Sequence, residues 1–259
     1  MSASDAACRM RGALSARARS LSVDLTEIDT DAPPAGLIEE VRRHLLGGET
    51  HYTTRPGIVE LRHRISERLE QITGARPDPL ESVLITAGER EALFVTLLGL
   101  GLPPGATVIA VDQGGRHRGL MRLLGLQVIE PGDPQCQADV IYREIICGEG
   151  RSFSAGKTAD NGDCIEIHNL RGQLTELSAA SREGRAGEEI WSGLGAPKIL
   201  TGNLHGLAGM DSFRIGFVAG PPATMKPIMV WKQALSICTA APSQRAAIHS
   251  LDCRGSQRR

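Results

Sequence analysis

The chain has 259 residues, 41% of them hydrophobic, and a formal net charge of -1, a composition that suits a soluble globular protein with one large α/β domain or two smaller ones. The near-neutral charge argues against nucleic acid as a main partner, and no apolar run approaches the roughly 20 residues that cross a bilayer. The start Met1-Ser2-Ala3-Ser4-Asp5 lacks the basic-then-apolar pattern of a signal peptide, so the expected location is cytoplasmic.

Residues 1–35, arginine-rich and small near the start, read as an arm that is partly disordered. A helix is expected over 36–46, where Leu37, Ile38, Val41 and Leu45 share one face and Gly47-Gly48 ends it. After a turn at 53–57, Ile58, Leu61, Ile65, Leu69 and Ile72 recur at helical spacing up to Gly74. From there strands and helices alternate. Strands are expected at 83–86, 107–111, 126–129, 140–146, 164–167, 199–200 and 213–219, with helices over 89–100 and 116–124. That alternation predicts an α/β fold, a mostly parallel sheet with helices on both faces. The large domain is expected over 36–250, compressed between 148 and 200, where Gly, Ser and charge displace the α/β pattern, and 251–259 is expected to be a disordered tail.

Six cysteines (Cys8, Cys136, Cys147, Cys164, Cys238 and Cys253) show no paired spacing and read as free thiols rather than metal ligands. Lysine is scarce: only Lys157, Lys198, Lys226 and Lys232 are present. No Gly-x-Ser-x-Gly, P-loop or His-Glu-x-x-His motif occurs.

Two blocks carry a resemblance. The first is Tyr52-x4-Gly57-x3-Leu61-Arg62, then Thr86-Ala87-Gly88-x3-Ala92-Leu93, then Pro104-Gly105-Ala106-Thr107-Val108; the second is Ser212-Phe213-Arg214-Ile215-Gly216-Phe217 followed by Gly220-Pro221-Pro222. In these blocks the chain resembles the aminotransferase class I/II family, the fold-type I pyridoxal-phosphate-dependent enzymes, over about residues 37–247. The resemblance implies that family's large domain, pyridoxal 5′-phosphate as cofactor, and amino acids and 2-oxo acids as substrates. It also implies a dimer, in which Tyr52 reaches the phosphate of the neighbouring subunit. The strand-to-helix turn at Gly88, Glu89 and Arg90 would offer backbone N–H groups to the phosphate, and Arg214 would bind it with a planar fork. Small or amide residues are usual where Glu89-Arg90 stands; Glu89 would repel a phosphate and Arg90 attract one. Ser243 to Ala247 resembles the family's following helix, a packing signal. The family's C-terminal small domain has no counterpart after Ala247.

Between the blocks the catalytic positions depart from the pattern. Cys147 stands where an asparagine would bond the cofactor's phenolic oxygen, and Ile167, His168 or Asn169 where an acid would hold the pyridine nitrogen. Leu170 or Arg171 replaces a tyrosine, and the stacking aromatic expected near Gly114 has only His117 close by. Counted back from Arg214, the lysine position falls on Leu204, His205 or Gly206, so no lysine is expected to form a Schiff base with the cofactor. His205 is the one replacement base in that stretch. The combined loss fits a catalytically lapsed family member and a shortened reading frame alike. The expected function is therefore a pyridoxal-phosphate-dependent aminotransferase with weak or no activity. The alternative is a non-catalytic binding or interaction protein on the same scaffold, paired as a homodimer or with an intact homologue through apolar surface around Val230, Trp231, Leu235 and Ile237.

Overall fold

Strands such as Val83-Leu84-Ile85 and Val108-Ile109-Ala110-Val111 are continuous apolar runs, so they must be covered on both sides. The computed structural model describes residues 36–112, 114–131, 138–146, 164–171, 198–204 and 210–256, all within the unit Pro33–Arg259. The elements in chain order are α1 (Leu37–Leu46), α2 (Val59–Thr73), β1 (Val83–Thr86), α3 (Glu89–Gly99), β2 (Thr107–Val111), α4 (Arg118–Leu123), β3 (Gln127–Ile129), β4 (Val140–Ile146), β5 (Ile165–Arg171), β6 (Lys198–Asn203), β7 (Gly216–Ala219), α5 (Pro222–Ser236) and α6 (Ala241–Ser256). The strands form one seven-stranded sheet in the order β1-β7-β6-β5-β4-β2-β3.

Strands β3, β2, β4, β5 and β6 pair in parallel, while β7 runs antiparallel to both of its neighbours, β6 and β1. The expected mostly parallel sheet is thus observed, with one reversal. Only residues 204–215 link β6 to β7, about the minimum for a crossover, which usually needs a helix to return the chain in parallel. On one face Val83, Ile85, Leu170, Leu200 and Phe217 pack against α1, α2 and α6 through Leu37, Leu61, Ile65, Leu69, Ala247 and Leu251. On the other face Leu84, Val108, Val140, Ile167, Ile199 and Val218 meet α3, α4 and α5 through Leu93, Leu97, Met121, Met225 and Ile228. Helices therefore cover both faces, as the alternation predicts.

Three expectations need correction. The strand expected at 213–219 begins only at Gly216, and Phe213 and Arg214 lie in the turn before it, with Arg214 at φ 51. The strand at 164–167 extends to Arg171, because Leu170 is buried against the sheet's far face. The tail expected to be disordered from 251 continues α6 to Ser256, anchored by the buried Leu251; residues 257–259 lie outside the described residues. So do the arm at 1–35 and most of the compressed stretch.

Helices α3 and α5 approach closely at Gly99, where an added methyl group would lie 2.5 Å from Ile228 Cγ1 and 2.8 Å from its backbone nitrogen. Backbone on one side of that contact leaves little room to relax. Gly99→Ala is expected to destabilise the fold by about 1–3 kcal/mol through overpacking, read as a lower urea midpoint with an unchanged m-value.

Candidate functional site

In open α/β sheets the chemistry gathers outside the carboxyl ends of the parallel strands, and the polar side chains of this chain collect there. Strand β1 ends at Thr86, and the turn Ala87-Gly88 leads into α3. Gly88 has φ 85 and ψ 174, a region that essentially only glycine occupies. Gly216 must also be glycine: a Cβ there would sit 2.5 Å from the Gly88 carbonyl carbon and 2.6 Å from its oxygen.

Arg214 is brought to the same turn. A Cβ placed on Gly88 would lie 3.9 Å from Arg214 Nη2 and 3.8 Å from its carbonyl oxygen. Arg214 is exposed, and no carboxylate pairs with it among the described residues. Arg90 lies one residue beyond Glu89 in the first turn of α3 and is also exposed. The geometry thus brings the Arg214 guanidinium to the strand-to-helix turn at Gly88, with Arg90 following two residues on in the helix. A planar guanidinium beside a helix N-terminus, with its unpaired N–H groups, suits an anionic oxygen group such as a phosphate.

Glu89, expected to repel a phosphate, is paired inside the protein. Its carboxylate is buried and turned toward the strand ends, 3.0 Å from Arg116 Nη2, and accepts a 2.7 Å hydrogen bond from Asn203 Nδ2. With its charge paired, little repulsion is left to reach the turn. Beside it lies a buried polar chain. His117 stands edge-on to Tyr142, with ring centroids 5.8 Å apart. Its Nε2 is 3.6 Å from Glu89 and 3.7 Å from Glu144, beyond hydrogen-bond reach, and neither ring nitrogen has a hydrogen-bond partner among the described residues. Asn169 Nδ2 donates to Tyr142 Oη at 3.0 Å, and Thr201 Oγ1 donates to Asn169 Oδ1 at 3.5 Å. Burial above all, and then Glu144, pushes the Tyr142 hydroxyl pKa far up, so it stays protonated.

Of the three residues that sequence left open for the acid position, Asn169 is the one on this network. His168 points to the opposite face, where its Nε2 lies 2.8 Å from Glu166, and Ile167 is core. The His168 contact, offset by burial and helped by Lys198, holds the Glu166 carboxyl down at about 2. Asn169 carries no charge, so it cannot keep a pyridine nitrogen protonated as an acid would. Lys198 begins β6, at the end of the strand opposite Asn203, and lies 3.7 Å from Glu166. Lys226 is exposed on α5, and Lys232 is buried on the same helix. Leu204, one of the three lysine-position candidates, is core: it is buried and its N–H donates to Ile215 oxygen at 3.0 Å. His205, Gly206, Cys147 and Lys157 lie outside the described residues. Tyr52 is 80% exposed. Its loop is tied down by the buried Gln244, which donates to Thr53 Oγ1 and Thr239 oxygen and accepts from Ile58 N–H.

Sequence reasoning passed over Arg116, Asn203, Gln244 and the sheet-facing Tyr142 and Glu144. Strand alternation placed Tyr142, Glu144, Asn169, Thr201 and Asn203 on one face, which was the available signal. No group of three or more metal-ligating side chains is found among the described residues.

His117 has its pKa lowered, chiefly by burial, with Glu89 opposing and Arg116 assisting. A histidine that resists protonation when folded contributes stability that is complete above its unfolded pKa, near the reference 6.5, and is lost as pH falls below it, because the unfolded chain then binds the extra proton. The melting temperature is expected to fall between pH 7 and pH 5, and the decline to be shallower in His117→Gln.

No family model matches the chain. It is 24% identical over 251 residues to the "Probable N-succinyldiaminopimelate aminotransferase DapC" of Mycobacterium tuberculosis, covering 86% of this chain and 62% of that protein. It is 37% identical over 223 residues to the arginine–pyruvate transaminase AruH of Pseudomonas aeruginosa, covering 78% of this chain and 56% of that one. Among solved structures, the methionine aminotransferase YbdL of Escherichia coli superposes with a TM-score of 0.69 at 19% identity, over 88% of this chain and 64% of that one. Aspartate aminotransferase from Thermus thermophilus gives 0.71 at 20% identity, over 95% and 70%. The chain thus spans less than two thirds of the curated relatives' length.

Proposed function

We propose that this chain, a relative of the aminotransferases that shares the large-domain fold of the fold-type I pyridoxal-phosphate enzymes, keeps the phosphate-anchoring half of their site. In this reading it binds pyridoxal 5′-phosphate without bonding the aldehyde to a lysine. The observation that carries the proposal is the position of the Arg214 guanidinium beside the Gly88 turn. Gly88, Arg90 and Arg214 would hold the phosphate, the last as a bidentate fork. When bound, pyridoxal phosphate supplies an electron sink for an amino acid or 2-oxo acid. The residues toward the ring fit that chemistry poorly: Asn169 is neutral and already bonded to Tyr142 and Thr201, and the three described lysines stand elsewhere. Weak or absent transamination follows. His205 is kept as the candidate replacement base, and a cytoplasmic location accompanies the assignment; no described helix is long and apolar enough to cross a membrane.

Titration with inorganic phosphate and with pyridoxal phosphate tests this reading. Arg214→Met is expected to weaken both by about 10- to 100-fold, the worth of a charge-assisted hydrogen-bond pair. Borohydride reduction of the loaded protein followed by peptide mapping is expected to leave no pyridoxyl group on Lys157, Lys198, Lys226 or Lys232. An adduct on one of them, lost when that lysine is replaced, would overturn the non-covalent reading.

The second reading, a scaffold that pairs with another chain, is favoured by the surface of α5. Val230 is 66% exposed, and Trp231, Leu235 and Ile237 are exposed beside it. An apolar stripe of that kind is usually covered by a partner. Together with the exposed Tyr52 it supports a homodimer or a complex with a full-length homologue. Light scattering on dilute protein is expected to give a mass above that of one chain. A stable monomer without cofactor would sink the pairing.

A further inference from the structure

We propose that Lys232 is a positioning residue of the anion site, setting the affinity of the Gly88 turn by neutralising Glu91; this rests on the phosphate role proposed above. Lys232 falls on the core-facing stripe of α5, in line with Met225 and Ile228, and its side chain is 1% exposed. A lysine is seldom buried unless its charge is paired. Its Nζ donates to Ser236 Oγ at 2.6 Å and lies 3.3 Å from Glu91 Oε2. Ser236 Oγ in turn donates to Glu91 Oε1 at 2.7 Å. The same Glu91 carboxylate reaches back to the turn and accepts the Ala87 N–H at 2.5 Å. Lys232 is therefore linked through one carboxylate to the residue immediately before Gly88.

This link is electrostatic as well as structural. The first turn of α3 carries two acids, Glu89 and Glu91, where an anion is to be bound. Arg116 and Asn203 hold Glu89. Glu91 has Lys232, Ser236 and the Ala87 N–H, and Lys232 is its cation. With both carboxylates matched, the exposed Arg90 and Arg214 set the sign of the field at the turn.

A second feature keeps Ser236 in place. Ile237, the next residue, has φ 58 and ψ -70, and Cys238 N–H donates to Ser236 oxygen at 2.6 Å, a tight γ-turn. A β-branched residue at positive φ is strained and persists only where its surroundings hold it. The strained turn ends α5 at the residue that bridges Lys232 and Glu91.

The test is calorimetric titration of the full chain with sulfate and with pyridoxal phosphate at low ionic strength. The proteins are wild type, Lys232→Met, Glu91→Gln and the double variant, with a urea midpoint measured for each. Lys232→Met is expected to weaken sulfate about five- to ten-fold, a Coulomb effect across one turn of structure. Glu91→Gln is expected to tighten it by a similar factor while lowering the urea midpoint, since it weakens the bond to Ala87. The double variant is expected to return to within about two-fold of wild type. A purely structural role for the cluster makes Glu91→Gln lose affinity along with stability, and that result would overturn the proposal. It would also fail if Lys232→Met bound sulfate as wild type does, leaving the phosphate reading intact. If Lys232→Met does not fold, the Glu91→Gln arm decides alone. Wild type that binds neither sulfate nor pyridoxal phosphate would sink both this proposal and the reading beneath it.

Discussion

The contact of the Gly216 backbone with the Gly88 carbonyl is the constraint on which the candidate site depends. Strands β1 and β7 pair antiparallel with Thr86 opposite Gly216. Continuing that register by two residues sets Gly88 opposite Arg214, on the same side of the sheet edge. No side chain is tolerated at Gly216, and Gly88 lies in a region of backbone space closed to other residues. Two glycines far apart in sequence therefore fix where one guanidinium meets one helix N-terminus. The positive φ of Arg214 belongs to the same arrangement: the chain must turn sharply out of residues 204–215 to enter β7 against its neighbours.

A few ångströms further along the strand ends the character of the site changes. Around the Gly88 turn exposed cations are left for a ligand; around His117 the protein's polar groups are turned on one another. Glu89 is committed to Arg116 and Asn203, and Asn169 to Tyr142 and Thr201. Hydrogen bonds already made inside the protein must be broken before a ligand can use those groups, at a desolvation cost that a phosphate contact alone does not offset. In the proposed reading, the end meant for a phosphate and the end meant for the cofactor ring would stand at different degrees of preparation, which is why the anion-binding half of that proposal is the better supported.

Much of the fold was legible because its signals are local. The short apolar runs at Val83, Val108 and Val140, alternating along the chain with helical stretches, and the helical spacing of Leu61, Ile65 and Leu69 give two-sided burial without any knowledge of contacts. The antiparallel course of β7 was not legible, since a four-residue strand carries no direction of its own. The ordered end of α6 was missed because no strongly apolar residue follows Leu251, whose burial depends on α1 and α2 folding over it. In the site, the meeting of Arg214 with Gly88 followed from motif resemblance. The fate of Glu89 did not, because its partners Arg116 and Asn203 are 27 and 114 residues away in the chain. Lys232 was invisible for the opposite reason: it sits at a position that helical spacing assigns to the core, where a charged residue carries no motif.

The two acids in the first turn of α3 bring these observations together. The helix dipole that makes a helix N-terminus attractive to a phosphate makes it attractive to carboxylates as well. A sequence with Glu89 and Glu91 at that end gains helix stability from both, and left unmatched they would compete with any anionic ligand. The fold answers by directing the two side chains apart, Glu89 inward to the strand ends and Glu91 across to α5, and by meeting each with a cation from a different element. The same residues then stabilise the helix and leave the space beside Gly88 to Arg214. A local sequence feature that looks hostile to phosphate thereby becomes compatible with it, through partners that only the tertiary structure supplies.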